Sequence, residues 1–556
     1  MLSYEEAAAA VTAPGERYEV ETVTVDGVEV QAFRHAPPSL RALFASARGR
    51  GEAVFLVYED ERWTFEEVMR HVDAMAALLV ERYGVRPGDR VAIGMRNYPE
   101  WVISFAAITS IGAVSVSLNA WWTPDELDYA LEDSGATVLV ADVERVARAA
   151  AACERLDCRI LAVRADGPLP DGVDRWEEVR DLGAAMPEVE VTPDHDATIL
   201  YTSGTTGHPK GAVSTHRAVV QALMGFGCKT ALDRLRRPPS PEAASGPPVF
   251  ILIVPLFHVT GCVPVMLSCF ASGLKLVMMY RWDADRALEL IEREQVTNFV
   301  GVPTQSWDLL ESPRFAETDT SSLVSVGGGG APAPPELVKR VASSFTGGRP
   351  SIGYGMTETN AYGPGNNGQD YVEHPTSTGR ATPILEIAVR DPEGRDLPVG
   401  ERGEIWFKGP HLIRGYWNKP EATAETIVDG WLRSGDIGRI DEEGFVYVED
   451  RAKDMVLRGG ENVYSAEVEA AIYEHPAVYE AAVFGVPHER LGEEVATVVY
   501  VRPGHDLTVE GLQAHVGERL AAFKVPSIVQ LVHAPLPRNP AGKILKRDLR
   551  DQLATR

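Results

Sequence analysis

The 556-residue sequence predicts an α/β protein with a large N-terminal domain of layered α/β subdomains, a small β-barrel or meander, and a small α+β C-terminal domain. Three observations lead there. The length far exceeds the roughly 150 residues typical of one domain. Short apolar strand-like runs alternate with helical patterns through the first two thirds, the order that builds mostly parallel sheets covered by helices. Beyond residue 384 the texture changes to short β runs separated by turn signals, and from Asp454 hairpin and helix patterns mix in a unit of their own.

The elements follow in order. Residues 18–33 read as a hairpin turning at Asp26-Gly27, and residues 54–63 as a second one around 59–61. Thr64 with Glu67 forms a capping box for a helix through Val80, and Thr123, Pro124 and Glu126 open another helix by the same chemistry. Residues 90–95 read as a buried strand. Similar runs recur at 137–141, 159–163, 198–201, 249–254, 275–279 and 298–302, while the proline-rich 236–248 reads as a surface loop. Residues 249–270 are long and apolar enough to raise a membrane helix, but Pro255, Gly261 and Pro264 break the run and His258 lies within it. A buried strand, a loop and a buried helix are expected instead. The C-terminal unit reads as hairpin, helix (465–473), two strands, helix (509–520), strand and a short final helix.

Composition narrows the function. With 45% hydrophobic and 24% charged residues the chain is an ordinary globular one. A net charge of −26 without a long basic run argues against nucleic acid as a partner. It leaves room for an anionic substrate held locally by backbone N–H groups and lysines. Five cysteines without a CxxC pair, and an acidic N-terminus without a secretory pattern, point to the cytoplasm.

The chemistry concentrates in Tyr201-Thr-Ser-Gly-Thr-Thr-Gly-His-Pro-Lys-Gly211, placed after a strand and before a helix expected near Ser214. Gly204 and Gly207 let the backbone aim N–H groups at one point, Thr202, Ser203, Thr205 and Thr206 add hydroxyl donors, and Lys210 adds charge. Such a loop suits a polyphosphate. It is not the Walker pattern, because Pro209 stands where glycine is needed and Gly211 follows Lys210 in place of Ser or Thr.

This eleven-residue order resembles the phosphate loop of the adenylate-forming superfamily, which comprises acyl-CoA synthetases, firefly-type luciferases and peptide-synthetase adenylation domains. Further motifs follow in the expected order along nearly the whole chain. Gly329-Gly330-Ala331-Pro332 and Tyr354-Gly355-Met356-Thr357-Glu358-Thr359 look like adenine-pocket segments, Ser434 to Gly438 like the ribose-binding turn, and Asp450 to Asp454 like the interdomain hinge. The resemblance implies ATP, Mg2+ and coenzyme A as co-substrates and cofactor. It implies that Tyr354 stacks on adenine, that Thr357 bonds the α-phosphate, and that Glu358 and Thr205 serve Mg2+, a hard cation that needs oxygen ligands. Asp436 can accept both ribose hydroxyls, and Arg451 can bond the same sugar from across the seam between domains.

Near the C-terminus, Pro537 to Arg547 resembles the superfamily's final motif and maps the catalytic lysine to Lys543. A fixed ammonium between carboxylate and α-phosphate steadies charge as the two anions approach. Lys453 matches the hinge, and Arg458, Gly459, Gly460 and Glu461 match a loop lining the pantetheine tunnel once the small domain has rotated. The resemblance therefore implies a mobile C-terminal domain, residues 453–556, working against an N-terminal domain of residues 1–452. One face would make the acyl-adenylate, the other the thioester.

The acid is expected to be hydrophobic. No carboxylate stands in Val254-Pro-Leu-Phe-His-Val-Thr-Gly261 to hold a substrate ammonium, as a peptide-synthetase adenylation domain would have. His258 matches the position beside the acyl site in acyl-CoA synthetases, and Val263, Val302 and Met356 would give an apolar lining. The whole resemblance is closest to medium- and long-chain fatty acyl-CoA synthetases. The expected activity is an AMP-forming acid–CoA ligase; the alternatives are an acyl-AMP ligase loading a separate carrier protein, and a CoA ligase for a bulky polycyclic or aromatic acid. A luciferase-like oxygenase or a non-catalytic nucleotide sensor fits less well, since a sensor would be expected to have lost Lys543 or Glu358. The size suggests a homodimer.

Overall fold

Turn chemistry fixes the first element. Asp26 and Gly27 both adopt positive φ, 49° and 81°, so the strands Val20–Val25 and Val28–Phe33 close as a two-residue hairpin with Val25 opposite Val28. The structure, a computed structural model, describes residues 2–202, 209–238, 246–331, 333–451, 454–458, 461–539 and 542–554. Ser203, Gly204, Thr205, Thr206, Gly207, Pro332, Lys453, Gly459 and Gly460 lie outside the described residues, as does part of the expected 236–248 loop.

Two large sheets organise the first 451 residues. The eight-stranded one has a parallel core running from Asp196–Thr202 through Val114–Ser117, Arg90–Gly94, Val138–Asp142 and Arg159–Val163 to Asp174–Arg175. Two antiparallel strands, Lys210–Thr215 and Gly415–Tyr416, complete its other edge. The second sheet has six parallel strands in the order Val54–Tyr58, Lys275–Met278, Val249–Leu252, Asn298–Gly301, Ser325–Gly329 and Arg349–Gly353. Its last parallel strand pairs antiparallel with Gly365–Asn367, and the ladder continues through Gly379–Arg380 to Phe445–Arg451. The β-rich segment after Ile384 is thus an antiparallel meander hydrogen-bonded to the second sheet, and not a free-standing one.

Local rules hold where they were strong. Both capping boxes form: Thr64 and Glu67 exchange side-chain and backbone hydrogen bonds at the start of Phe65–Glu81, and Thr123 and Glu126 do so at Pro124–Ser134. Residues 249–270 divide into the strand Val249–Leu252, a loop, a π-helix Gly261–Leu267 containing Pro264, and the helix Ser268–Ser272. Among the described residues no helix is long and apolar enough to cross a membrane. All five cysteines are free and buried.

The structure departs from expectation beside the phosphate loop. Lys210–Thr215 is a strand antiparallel to Asp196–Thr202, with Lys210 opposite Thr202, so the loop joins two strands and the helix starts only at His216. Thr215 is the N-cap, accepting from the Ala218 N–H. The Ser214 hydroxyl, the expected helix start, instead donates to Asn360 Oδ1 at 3.0 Å.

The C-terminal residues build the expected sequence of elements: the hairpin Val456–Arg458 and Glu461–Val463, the helix Ser465–Tyr473, the strands Val478–His488 and Gly492–Val501, the helix Val509–Gly517, the strand Ile528–Val532 and the helix Lys546–Ala554. Its apolar side chains form two clusters of their own, one around Val456, Val468, Val483 and Leu512 and one around Phe484, Val498, Leu536 and Leu549.

Candidate active site

The site assembles from loops at the ends of parallel strands, where an open α/β sheet places its ligand. The second sheet approaches it through glycines. A Cβ on Gly327, Gly328 or Gly329 would collide with the carbonyl oxygen of Ser351, Gly301 or Gly353 respectively, so these three are required by strand packing. Gly330 differs: its φ is +82° and only Val302 Cγ1, at 3.7 Å, would meet a side chain there, so it turns the chain at the sheet's end. Ala331 follows it in the loop before the helix Pro335–Ser344.

Tyr354, Asp436 and Arg451 come together. Asp436 lies on Trp431–Ile440, directly opposite Arg451 on Phe445–Arg451. The buried Asp436 accepts from the Tyr354 hydroxyl at 2.5 Å through Oδ2 and faces Arg451 Nε at 3.3 Å through Oδ1. Arg451 therefore reaches Asp436 from the neighbouring strand of the same sheet, and not from across a seam between domains. Burial pushes the Asp436 carboxyl up, with Arg451 and Tyr354 pulling the other way. Burial, then the Asp436 charge, holds the Tyr354 hydroxyl well above its usual range. The pair presents two polar edges that ribose hydroxyls can share.

A second group joins the phosphate loop to the Tyr354–Thr359 segment. Glu358 is buried on a 3-10 turn, Thr357–Thr359, and its Oε1 accepts from the Tyr416 hydroxyl at 2.6 Å. The Lys210 ammonium sits 4.3 Å above the Tyr416 ring, and Thr202 Oγ1 donates to the Lys210 carbonyl at 3.3 Å. Tyr416, absent from the sequence reading, thus links Lys210 to Glu358; the Gly415-Tyr416-Trp417 run was its only signal. Among the described residues no three His, Cys, Asp or Glu side chains cluster as a metal site. One carboxylate beside bound phosphates is how Mg2+ is commonly held, so Glu358 fits that ion. Thr357, Gly355 and Met356 line the same turn, with the Thr359 hydroxyl accepting from the Met356 N–H at 3.1 Å.

Lys543 lies on the C-terminal lobe and reaches this place. Its N–H donates to Asn539 Oδ1 at 2.9 Å, its carbonyl accepts from the Asn539 N–H, and its ammonium has Arg451, Asp454, Lys546 and Asp436 as charged neighbours. Burial, helped by Arg451, pushes Lys543 down to about 8. Arg458 is engaged with Glu494 within the small lobe, and no hydrogen bond or ion pair ties it or the exposed Glu461 to Lys543 or Asp436.

A cavity of about 380 Å3 opens beside Lys543. Val254, Phe257 and Val302 line it from the large lobe, and Tyr479, Asn539 and Gly542 from the small one. Of the acyl candidates only Val302 is in its wall. Val263 is buried in the core and Met356 stays in its turn. His258 heads the π-helix: its carbonyl accepts from the Gly261 and Cys262 N–H groups, and its Nδ1 accepts from the Thr260 N–H at 3.3 Å. That bond assigns the remaining proton of the neutral ring to Nε2, and burial pushes the imidazole down to about 4. Trp121 and Arg96, with the guanidinium 3.8 Å over the indole, also line the cavity and were missed, coming from elements remote in sequence.

Comparison with known proteins agrees with this geometry. The model of the AMP-binding enzyme family matches residues 43–417, and that of the AMP-binding enzyme C-terminal domain matches residues 467–543. The long-chain-fatty-acid–CoA ligase FadD13 of Mycobacterium tuberculosis is 36% identical over 503 residues, spanning 89% of this chain and 93% of that protein. A feruloyl-CoA synthase of an Amycolatopsis species is 37% identical over 493 residues, 88% of this chain and 93% of that one. The o-succinylbenzoate CoA synthetase of Bacillus subtilis, solved with its acyl-adenylate intermediate, superposes with a TM-score of 0.75 at 29% identity, covering 92% and 97% of the two chains.

Proposed function

The chain belongs to the AMP-binding enzyme family, and from that premise we propose that it is an AMP-forming acid–CoA ligase acting on a hydrophobic carboxylic acid. The observation that carries the proposal is the position of Lys543. An ammonium from the small lobe stands among Asp436 and Arg451, beside the cavity, where a carboxylate and a nucleotide α-phosphate would have to meet. In the first half-reaction the acid's carboxylate oxygen attacks the α-phosphorus of ATP, the bond to pyrophosphate breaks, and Lys543 stabilises the charge gathered in between. Tyr354 and Asp436 hold the nucleoside, Gly330 and Ala331 border it, and Lys210 with the hydroxyls of residues 202–206 meets the phosphates. Glu358 would hold Mg2+ together with the nucleotide's phosphates, and the ion would supply positive charge against them. In the second half-reaction the CoA thiol attacks the acyl carbonyl and AMP leaves, with the loop of Arg458 to Glu461 lining the thiol's approach after rotation about Lys453.

A cytoplasmic enzyme using small-molecule acid and CoA fits these parts, with residues 1–452 and 453–556 as its two working units. The mixed cavity wall, valines with Phe257, Trp121 and Tyr280, suits an apolar or aromatic acid. Its test is AMP release over a panel of fatty, aromatic and polycyclic acids, each with and without CoA, with products identified by mass. AMP and acyl-CoA formed only when acid and CoA are both present is the expected result. Acyl-AMP that accumulates untouched by CoA would move the acceptor to a carrier protein.

A further inference from the structure

The two lobes also meet at a polar contact that the two half-reactions do not by themselves require. The helix Pro303–Glu311 of the large lobe faces the small lobe's long hairpin, Val478–His488 and Gly492–Val501. Asp308 accepts from Trp282 Nε1 at 2.8 Å within its own lobe and from the Tyr479 hydroxyl at 3.3 Å across the seam. Three residues on, along the same helix face, Glu311 pairs with Arg340 at 3.0 Å in its own lobe and with Arg502 of the small lobe. The Arg502 guanidinium lies 5.3 Å over the Tyr479 ring and 6.0 Å from that of Trp307.

This contact is wired to Lys543. Glu480, next to Tyr479, accepts from Arg538 Nη2 at 2.6 Å, and Arg538 Nη1 donates to the Gly542 carbonyl at 2.6 Å. One guanidinium thus ties the strand that touches Asp308 to the loop that carries Lys543. Gly542 in turn stands against Val302, at the N-cap of the same large-lobe helix, so the small lobe rests on both ends of Pro303–Glu311.

We propose that the Asp308–Tyr479 and Glu311–Arg502 contacts are a docking latch that biases the lobes toward the adenylate-forming arrangement, with Arg538 the positioning residue that relays docking to Lys543; this rests on the two-step reading above. Each large-lobe carboxylate keeps a second donor when the small lobe leaves, Trp282 for Asp308 and Arg340 for Glu311, so release orphans neither. Partly exposed pairs of this kind shift an equilibrium by about fivefold at most. A bias of that size favours one arrangement without locking out the other.

The test separates the half-reactions in the full-length protein. Acid-dependent ATP–pyrophosphate exchange reads the first, and thioester formation from supplied acyl-adenylate and CoA reads the second. Arg502→Ala should lower the exchange rate about three- to fivefold while leaving transfer unchanged or faster. Arg502→Lys should restore most of the loss. Arg538→Ala should lower exchange further and displace the alkaline limb of its pH profile, which a purely structural loss would not do. Equal losses in both half-reactions, or variants indistinguishable from an active wild type, would overturn the latch alone. A wild type inert in both assays would overturn the ligase reading and the latch with it.

Discussion

Lys543 is useful only while charged, and its surroundings make that conditional. Burial and the neighbouring Arg451 bring its ammonium down to about 8 from the 10.5 of a free lysine. The charged form dominates below that value, so adenylation should decline as pH rises through about 8, more than two units earlier than for a solvated lysine. The decline in kcat/KM, which reports the free enzyme, should fall at lower pH than that in kcat, because bound anions favour the ammonium. Lys543→Ala should cost at least roughly 100- to 1,000-fold in exchange while sparing transfer from supplied acyl-adenylate. Equal damage to both steps would argue against its place in the first alone. At Glu358 the neighbour is the point of interest. Tyr416→Phe removes the hydroxyl that donates to Glu358 at 2.6 Å and keeps the ring under Lys210. A raised Mg2+ requirement with little change in melting temperature is expected; an unchanged Mg2+ titration would separate Tyr416 from the metal.

At the scale of elements, the turn that carries Lys543 depends on one glycine. Gly542 has φ +85°, and a Cβ there would come within 2.8 Å of Val302 Cγ2. Gly542→Ala is therefore strained and pushes the loop off Val302. It should lower exchange more than tenfold for a stability loss of about 1 kcal/mol, read by calorimetry beside the exchange assay. Proportionate losses of fold and activity would leave the turn a merely structural role. Elements governed by local rules were legible in the sequence: the Asp26-Gly27 hairpin, both capping boxes and every element of the small lobe follow from patterns a few residues long. Val114–Ser117 escaped notice because its four residues alternate valine and serine yet are buried on both faces between neighbouring strands. The strand Lys210–Thr215 lies where a helix is expected to begin near Ser214, and the Ser214 hydroxyl is taken by Asn360, far away in sequence. The same limit applies to the site. Tyr354, Asp436, Glu358 and Lys543 stand in recognisable strings, but Tyr416 beneath Lys210, Arg96 over Trp121 and the Glu480–Arg538 tie are visible only after folding.

Taken whole, the molecule buries titratable groups deep in its large lobe, and these set its response to acid. His71, His216, His258 and His411 are pushed by burial to about 4, 3, 4 and 3. His411 has neither ring nitrogen hydrogen-bonded and stands edge-to-face on Tyr362 at 5.0 Å. In the folded state all four stay neutral near pH 5, whereas in the unfolded chain they titrate near 6.5. Above about 6.5 neither state takes up protons at these sites and they give no pH dependence. Below it the unfolded state binds protons that the fold refuses, so stability falls by about 1.4 kcal/mol per pH unit for each histidine until its folded value is reached. Asp450 acts in the opposite sense, since burial raises it to about 6 and the fold takes up its proton first, and the raised carboxyls of Asp436 and Glu100 act the same way. Melting temperature should therefore drop steeply between pH 6.5 and 4.5. In His411→Phe, which keeps the aromatic contact and removes the titratable ring, that acid loss should shrink by about 1.4 kcal/mol per pH unit below 6.5. Melting curves of both proteins at pH 7.5, 6 and 5 decide the matter: parallel losses would mean that His411 is not refusing a proton, while a variant that matches the wild type at 7.5 and holds its stability at 5 would trace acid lability to imidazoles sealed in the core.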